Sequence, residues 1–182
     1  VTILPSKKNT GITFIRTDID NNNTIKALWS NVTSTVLSTT ISNKLNISVS
    51  TIEHLMSALS GMHIDNVIIF TNGPEIPIMD GSSKPFVELL EKSEIKVQNS
   101  YRKILKVNKE IKVSNGDSYV KITPNSEFSV DFEIDFESHL INKQACQLQL
   151  VNGNYKSDIS SARTFGFEKD VKKLRARGFA LG

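Results

Sequence analysis

The chain has 182 residues, of which 38% are hydrophobic and 23% charged. That is ordinary for a globular protein and enough to build one sizeable domain or two small ones. Its 22 Lys and Arg against 19 Asp and Glu leave a net charge of +3, too weak a bias to argue for a nucleic-acid or membrane-surface partner. The single cysteine, Cys146, excludes an internally disulfide-stapled scaffold and fits a reducing cytoplasm. Apolar runs such as 67–70 are too short to cross a membrane, and no secretory leader is recognisable.

Residues 11–16 alternate, with Ile12, Phe14 and Arg16 opposite Thr13 and Ile15, which predicts a strand. Asn21-Asn22-Asn23 reads as a turn. Residues 24–29 and 32–41 are rich in β-branched side chains, and 45–49 reads as another short strand. Ser50-Thr51-Ile52-Glu53 has the form of a capping box, with Ser50 as N-cap and Glu53 at N3. Ile52, Leu55, Met56 and Leu59 follow at helical spacing, so they face a core, and Gly61 is placed at C′. A strand at 66–70, a Pro/Gly-rich loop at 72–83 and a helix at 84–91 with Pro85 in its first turn come next.

Residues 98–103 read as a polar linker. Residues 104–113, 118–122 and 128–136 then alternate as antiparallel strands, with Asn115-Gly116 as the hairpin signal. Cys146 lies in a further alternating stretch and is expected to be a half-buried strand residue, and 147–151 reads as a strand. A helix at 168–177 ends at Gly178. This order predicts an α+β fold in two similar halves, residues 1–101 and 102–182.

Three segments carry residues suited to chemistry. In Glu53-His54 the carboxylate can simply close the helix cap and the imidazole can be structural. Alternatively, the imidazole binds zinc and the carboxylate takes a proton from bound water. Neither His63 nor His139 stands at a spacing that completes a metal site. The loop Pro74-Glu75-Ile76-Pro77-Ile78-Met79-Asp80-Gly81-Ser82 reads as a rigid connection that could hold Asp80 near a site. Thr164-Phe165 pairs a hydroxyl able to hold an oxyanion with an aromatic face, or is ordinary turn and core.

Together with Leu37-Ser38-Thr39-Thr40, Ile64-Asp65-Asn66, Ser161-Ala162-Arg163-Thr164-Phe165-Gly166-Phe167 and Leu174-Arg175-Ala176-Arg177-Gly178, these segments resemble one family through the whole chain and in the right order. It is the UDP-3-O-acyl-N-acetylglucosamine deacetylases of Gram-negative lipid A synthesis. The resemblance implies a cytoplasmic, monomeric, zinc-dependent amide hydrolase that frees the sugar amine and acetate. It implies His54 as a zinc ligand, Glu53 as general base, Thr164 as oxyanion stabiliser, Phe165 as a substrate-site aromatic and Phe136 as a nucleotide contact. It also implies two β/α halves, each a mostly antiparallel sheet, with the helices sandwiched between the sheets. An insert beginning near Phe167 would form an acyl-chain passage with Val171, Leu174, Phe179 and Ala180 as lining residues.

The family's remaining zinc ligands lie in a His-Lys-x-x-Asp motif, which this sequence lacks; His139 is followed by Leu140-Ile141-Asn142. The chain opens on Val1 and stops at Gly182 in mid-pattern. The expectation is therefore a segment truncated at both ends, inactive alone, with sheet edges and apolar faces left uncovered. The competing expectation is a non-catalytic sugar-nucleotide or protein binding domain that has lost its zinc. The five basic residues Lys169, Lys172, Lys173, Arg175 and Arg177 read as a solvated helix face, or as attraction to the substrate diphosphate or to anionic lipid.

Overall fold

The computed structural model describes residues 1–151 and 153–176. Its architecture is α+β with mostly antiparallel sheets, as the element order predicts. The main sheet holds β1 (Thr2–Pro5), β2 (Ile12–Arg16), β3 (Thr24–Lys26) and a later strand, Val67–Thr71. That later strand is the sheet's second member, antiparallel to β1 and parallel to β2. β3 closes the far edge antiparallel to β2. The inward residues Phe14, Ile25 and Ile69 are fully buried, which is the alternation read from 11–16.

Arg16 is also buried, and each nitrogen of its guanidinium donates a hydrogen bond. Nε and Nη2 donate to the two Asp18 carboxylate oxygens at 2.8 and 2.6 Å, and Nη1 donates to the Ser48 carbonyl at 2.8 Å. That pairing is what makes a buried cation tolerable here.

A second, three-stranded antiparallel sheet holds β4 (Val32–Ser34), β5 (Thr40–Ser42) and β6 (Ser48–Val49). Ile41 and Val49 face each other across it and are buried. Between β3 and β4, Trp29–Asn31 forms a single 3-10 turn with Trp29 exposed, so the strand expected over 24–29 stops at Lys26.

Helix α1 (Glu53–Gly61) buries Leu55, Ala58 and Leu59, with Ile52 just before it and Met56 half-buried. Its ends differ from the sequence expectation. Ser50 does not cap it. Its N–H and hydroxyl both donate to the Pro74 carbonyl, at 2.8 and 3.1 Å, and its carbonyl accepts from the Ile76 N–H. The helix starts three residues later, after Thr51 turns through a left-handed φ of 56°. At the other end Gly61 is still helical, and the left-handed residue is His63, at φ 58°. The Ile64 N–H reaches the Leu59 carbonyl at 2.8 Å and the His63 N–H the Ser60 carbonyl at 3.1 Å, the paired bonds of a Schellman end.

The strand Val67–Thr71 becomes β7 in chain order, and α2 (Lys84–Glu91) follows with the predicted bounds. Phe86, Val87 and Leu90 are its buried face, and α2 packs on α1. The linker bonds back onto this half: Asn66 donates to Gln98 and Asp65 pairs with Arg102 at 2.8 Å.

The later residues form two hairpins, β8 (Ile111–Asn115) with β9 (Ser118–Ile122), and β10 (Ser129–Asp135) with β11 (Lys143–Gln149). Asn115 pairs with Ser118, so the turn is Gly116-Asp117. Residues 104–109 take no strand, despite their alternation. The hairpins expose Val113, Val120 and Phe132. Cys146, opposite Phe132, is exposed rather than half-buried, because no layer covers this pair among the described residues. The short helix α3 (Tyr155–Asp158) is different: Tyr155 joins the core of the first half, and Leu150 and Ile159 pack against that core. Helix α4 (Glu168–Ala176) ends the described chain; Arg177 and Gly178, placed at its end from sequence, lie outside the described residues.

Candidate active site

Glu53 and His54 open α1, where both are half-buried and neither belongs to the buried hydrophobic core. One Glu53 carboxylate oxygen, Oε2, accepts the Thr39 N–H at 2.9 Å. Among the described residues the His54 imidazole has no hydrogen-bond partner. Just before them, Thr51 donates its hydroxyl to Glu75 Oε1 at 2.7 Å, and Ser50 bridges to Glu75 in parallel. These contacts moor the Pro/Gly-rich loop to the N-terminus of α1.

The same loop carries the second half's contribution. Asp80 Oδ1 accepts from the Ser82 hydroxyl at 2.7 Å and the Ser82 N–H at 3.0 Å, and Oδ2 lies 3.5 Å from Arg163 Nη2. Gly81, at φ 83°, presents its carbonyl to the Thr164 N–H at 2.8 Å. A Cβ on Gly81 would stand 3.4 Å from the Thr164 methyl, so the two backbones approach closely. The exposed Thr164 hydroxyl makes no hydrogen bond among the described residues. Phe165, 56% exposed, meets Phe136 edge-on at 5.4 Å between ring centres. The loop is thus bonded at Glu75 to Ser50 and Thr51, and at Asp80 and Gly81 to Arg163 and Thr164, and Phe165, next to Thr164, meets Phe136.

The Ser82 hydroxyl, aided by the Ser82 N–H and Arg163, holds the Asp80 carboxyl below the usual carboxylate range, against the opposing effect of desolvation. A depressed folded pKa means that this contact stabilises the fold above the unfolded value of about 3.9 and is lost as pH falls through the folded value. The Asp80 carboxyl, followed by NMR in the full-length protein, is expected to titrate below that value. Ser82→Ala should raise its midpoint; an unmoved midpoint rejects the attribution.

Among the described residues no three His, Cys, Asp or Glu side chains group so as to hold a metal ion. His54 stands as a single imidazole donor. The described residues therefore do not fit a zinc site by themselves.

The family model for UDP-3-O-acyl N-acetylglycosamine deacetylase matches residues 1–182. The chain belongs to this deacetylase family. It is 44% identical over 180 residues to the UDP-3-O-acyl-N-acetylglucosamine deacetylase of Syntrophus aciditrophicus, covering 99% of this chain and 57% of that protein. The proteins of the same description from Shewanella violacea and Blochmanniella pennsylvanica are 43% and 41% identical, over 100% of this chain and 60% and 62% of their own lengths. The chain thus spans about three fifths of these deacetylases.

Several groups that contact the expected site residues or their chain neighbours are not singled out for a role by the sequence. Phe167 is one: it meets Phe136 at 5.7 Å and Phe165 at 5.8 Å, making a three-ring cluster. The Thr39 N–H and the Gly81 carbonyl are backbone groups, invisible in side-chain patterns. Tyr155 is a third case, 7% exposed and shared between the halves. Of the residues expected to line an acyl passage, Val171 is half-buried in α4. The Leu174 side chain, Phe179 and Ala180 lie outside the described residues. No described helix is long and apolar enough to cross a membrane.

Proposed function

We propose that the full-length polypeptide carrying this chain hydrolyses the N-acetyl group of UDP-3-O-acyl-N-acetylglucosamine in lipid A synthesis, as a cytoplasmic monomer with zinc as cofactor. The observation that supports this most is the backbone bond from Thr164 to Gly81, in a loop itself moored to the helix start that bears Glu53 and His54. In this reading the base comes from the helix start and the oxyanion donor from the Thr164 segment, both bonded to the same loop.

Glu53 is the general base in this reading. Its Oε2 is occupied by the Thr39 N–H, so Oε1 is the oxygen available to take a proton from the attacking water. As the acetyl carbonyl becomes tetrahedral, the Thr164 hydroxyl donates to its oxygen, with the backbone fixed by Gly81. The rings of Phe136 and Phe165 offer faces for the substrate's nucleotide and sugar. Val171 is the described residue expected to meet the acyl chain.

His54 serves as one zinc ligand, and further donors must come from polypeptide outside residues 1–182. Residues 1–182 alone are accordingly expected to release no acetate. Metal analysis of the full-length protein tests the assignment. Wild type is expected to hold zinc and His54→Ala to lose most of it. Equal zinc in both rejects His54 as ligand. A wild type with neither zinc nor acetate release replaces the reading with that of a binding domain.

A further inference from the structure

The Tyr155 hydroxyl stands 2.7 Å from Ser57 Oγ and 2.7 Å from Ser83 Oγ, and the Ser83 hydroxyl donates to the Ser160 carbonyl at 3.1 Å. The proton of Ser83 is therefore spent on Ser160, and a hydroxyl has only one. Tyr155 must then donate to Ser83 and accept from Ser57. The result is a directed chain from Ser57 through Tyr155 and Ser83 to the Ser160 carbonyl, with Tyr155, Ser83 and Ser160 all buried. Aligned hydrogen bonds of this kind reinforce one another in a low-dielectric setting.

The chain's three anchors are specific. Ser57 lies three residues after His54, on the same stripe of α1. Gly61, a turn further along that stripe, lies so close to the Tyr155 ring that an added Cβ would be 2.1 Å from its Cδ1. Ser83 lies two residues after Gly81, whose carbonyl holds the Thr164 N–H. Ser160 lies four residues before Thr164, joined to it through a turn in which the Ala162 N–H bonds the Ile159 carbonyl at 2.8 Å.

We infer that Tyr155 is a positioning residue that sets Thr164 against the Glu53–His54 end of α1, by tying helix, loop and Thr164 segment to one hydroxyl. This rests on the deacetylase reading above. Thr164 has a single backbone bond to the loop and an exposed side chain. Its hydroxyl therefore depends on the tether for its place, and small displacements of a positioning group cost rate steeply.

The test is Tyr155→Phe in the full-length protein, which keeps the ring against Gly61 and removes the hydroxyl. The expected result is a fall in kcat of about tenfold with KM within about twofold, and faster hydrogen exchange at the Thr164 amide while α1 amides hold. In a Thr164→Ala background the kcat loss should largely vanish. Unchanged kcat and unchanged exchange at Thr164 overturn the inference. So does uniform acceleration across α1 and the main sheet, the mark of a merely structural role. Ser57→Ala, which removes only the first donor, should move both readouts the same way by less, and serves if the phenylalanine variant does not fold. If wild type releases no acetate, the deacetylase reading fails, and the Thr164 amide alone decides the tether.

Discussion

Replacing Glu53 with glutamine in the full-length protein is expected to lower kcat by about 10²–10⁴-fold, the usual contribution of a positioned general base. Glutamine keeps a carbonyl oxygen for the Thr39 N–H, a bond of 2.9 Å in the native chain, so the β4–β5 segment should stay docked on α1. What is lost is an oxygen basic enough to take a proton from water. Zinc content should match wild type, because the proposed ligand is the neighbouring imidazole. Steady-state acetate release paired with metal analysis makes the check. Normal turnover would remove Glu53 from the mechanism, and lost zinc would place it among the ligands.

The second large effect is expected at Gly61. Helix propensity alone favours alanine there by about 1 kcal/mol, and the residue ends α1 without a left-handed backbone. Packing opposes it. A Cβ would fall 2.1, 2.3 and 2.4 Å from Cδ1, Cε1 and Cγ of Tyr155, so the ring must leave its seat. Overpacking of this kind costs about 1–3 kcal/mol or more, which outweighs the propensity gain. Gly61→Ala is therefore expected to lower the Tm of the full-length protein, and the loss should shrink when Tyr155→Ala is combined with it. A Tm that rises would mean that the ring yields without cost.

The reading of Gly61 at the end of α1 shows where local pattern fails. Gly61 has the position of a helix stop, yet its reason for being small is an aromatic ring from a distant segment. The stop is made by His63, whose residue type carries no such signal. The Ser50–Glu53 spacing matches a capping box for a similar reason. Nothing local reveals that the Ser50 hydroxyl is engaged by Pro74. Where local and global demands agree, the reading holds. α2 begins with Pro85 in its first turn and buries Phe86, Val87 and Leu90 at helical spacing, and its bounds are legible to the residue. β1 is not legible, because Thr2–Pro5 becomes a strand only through its pairing with β7.

The site divides along the same line. Family motifs name Glu53, His54, Thr164, Phe165 and Phe136, and the fold brings Phe136 onto Phe165 and Thr164 onto the Asp80–Ser82 turn. The groups that hold them are not legible: a backbone amide at Thr39, a carbonyl at Gly81, and the hydroxyl of Tyr155. Each acts through a contact that closes only in three dimensions.

The bond between Ser57 and Tyr155 joins residues 98 apart in the chain. Closing so long a loop is among the costlier entropic events in assembling such a molecule, and it is repaid only once both partners are already shaped. Folding is then expected to run in two stages: residues near the amino end collapse around α1, and the distal tyrosine finds its seat later.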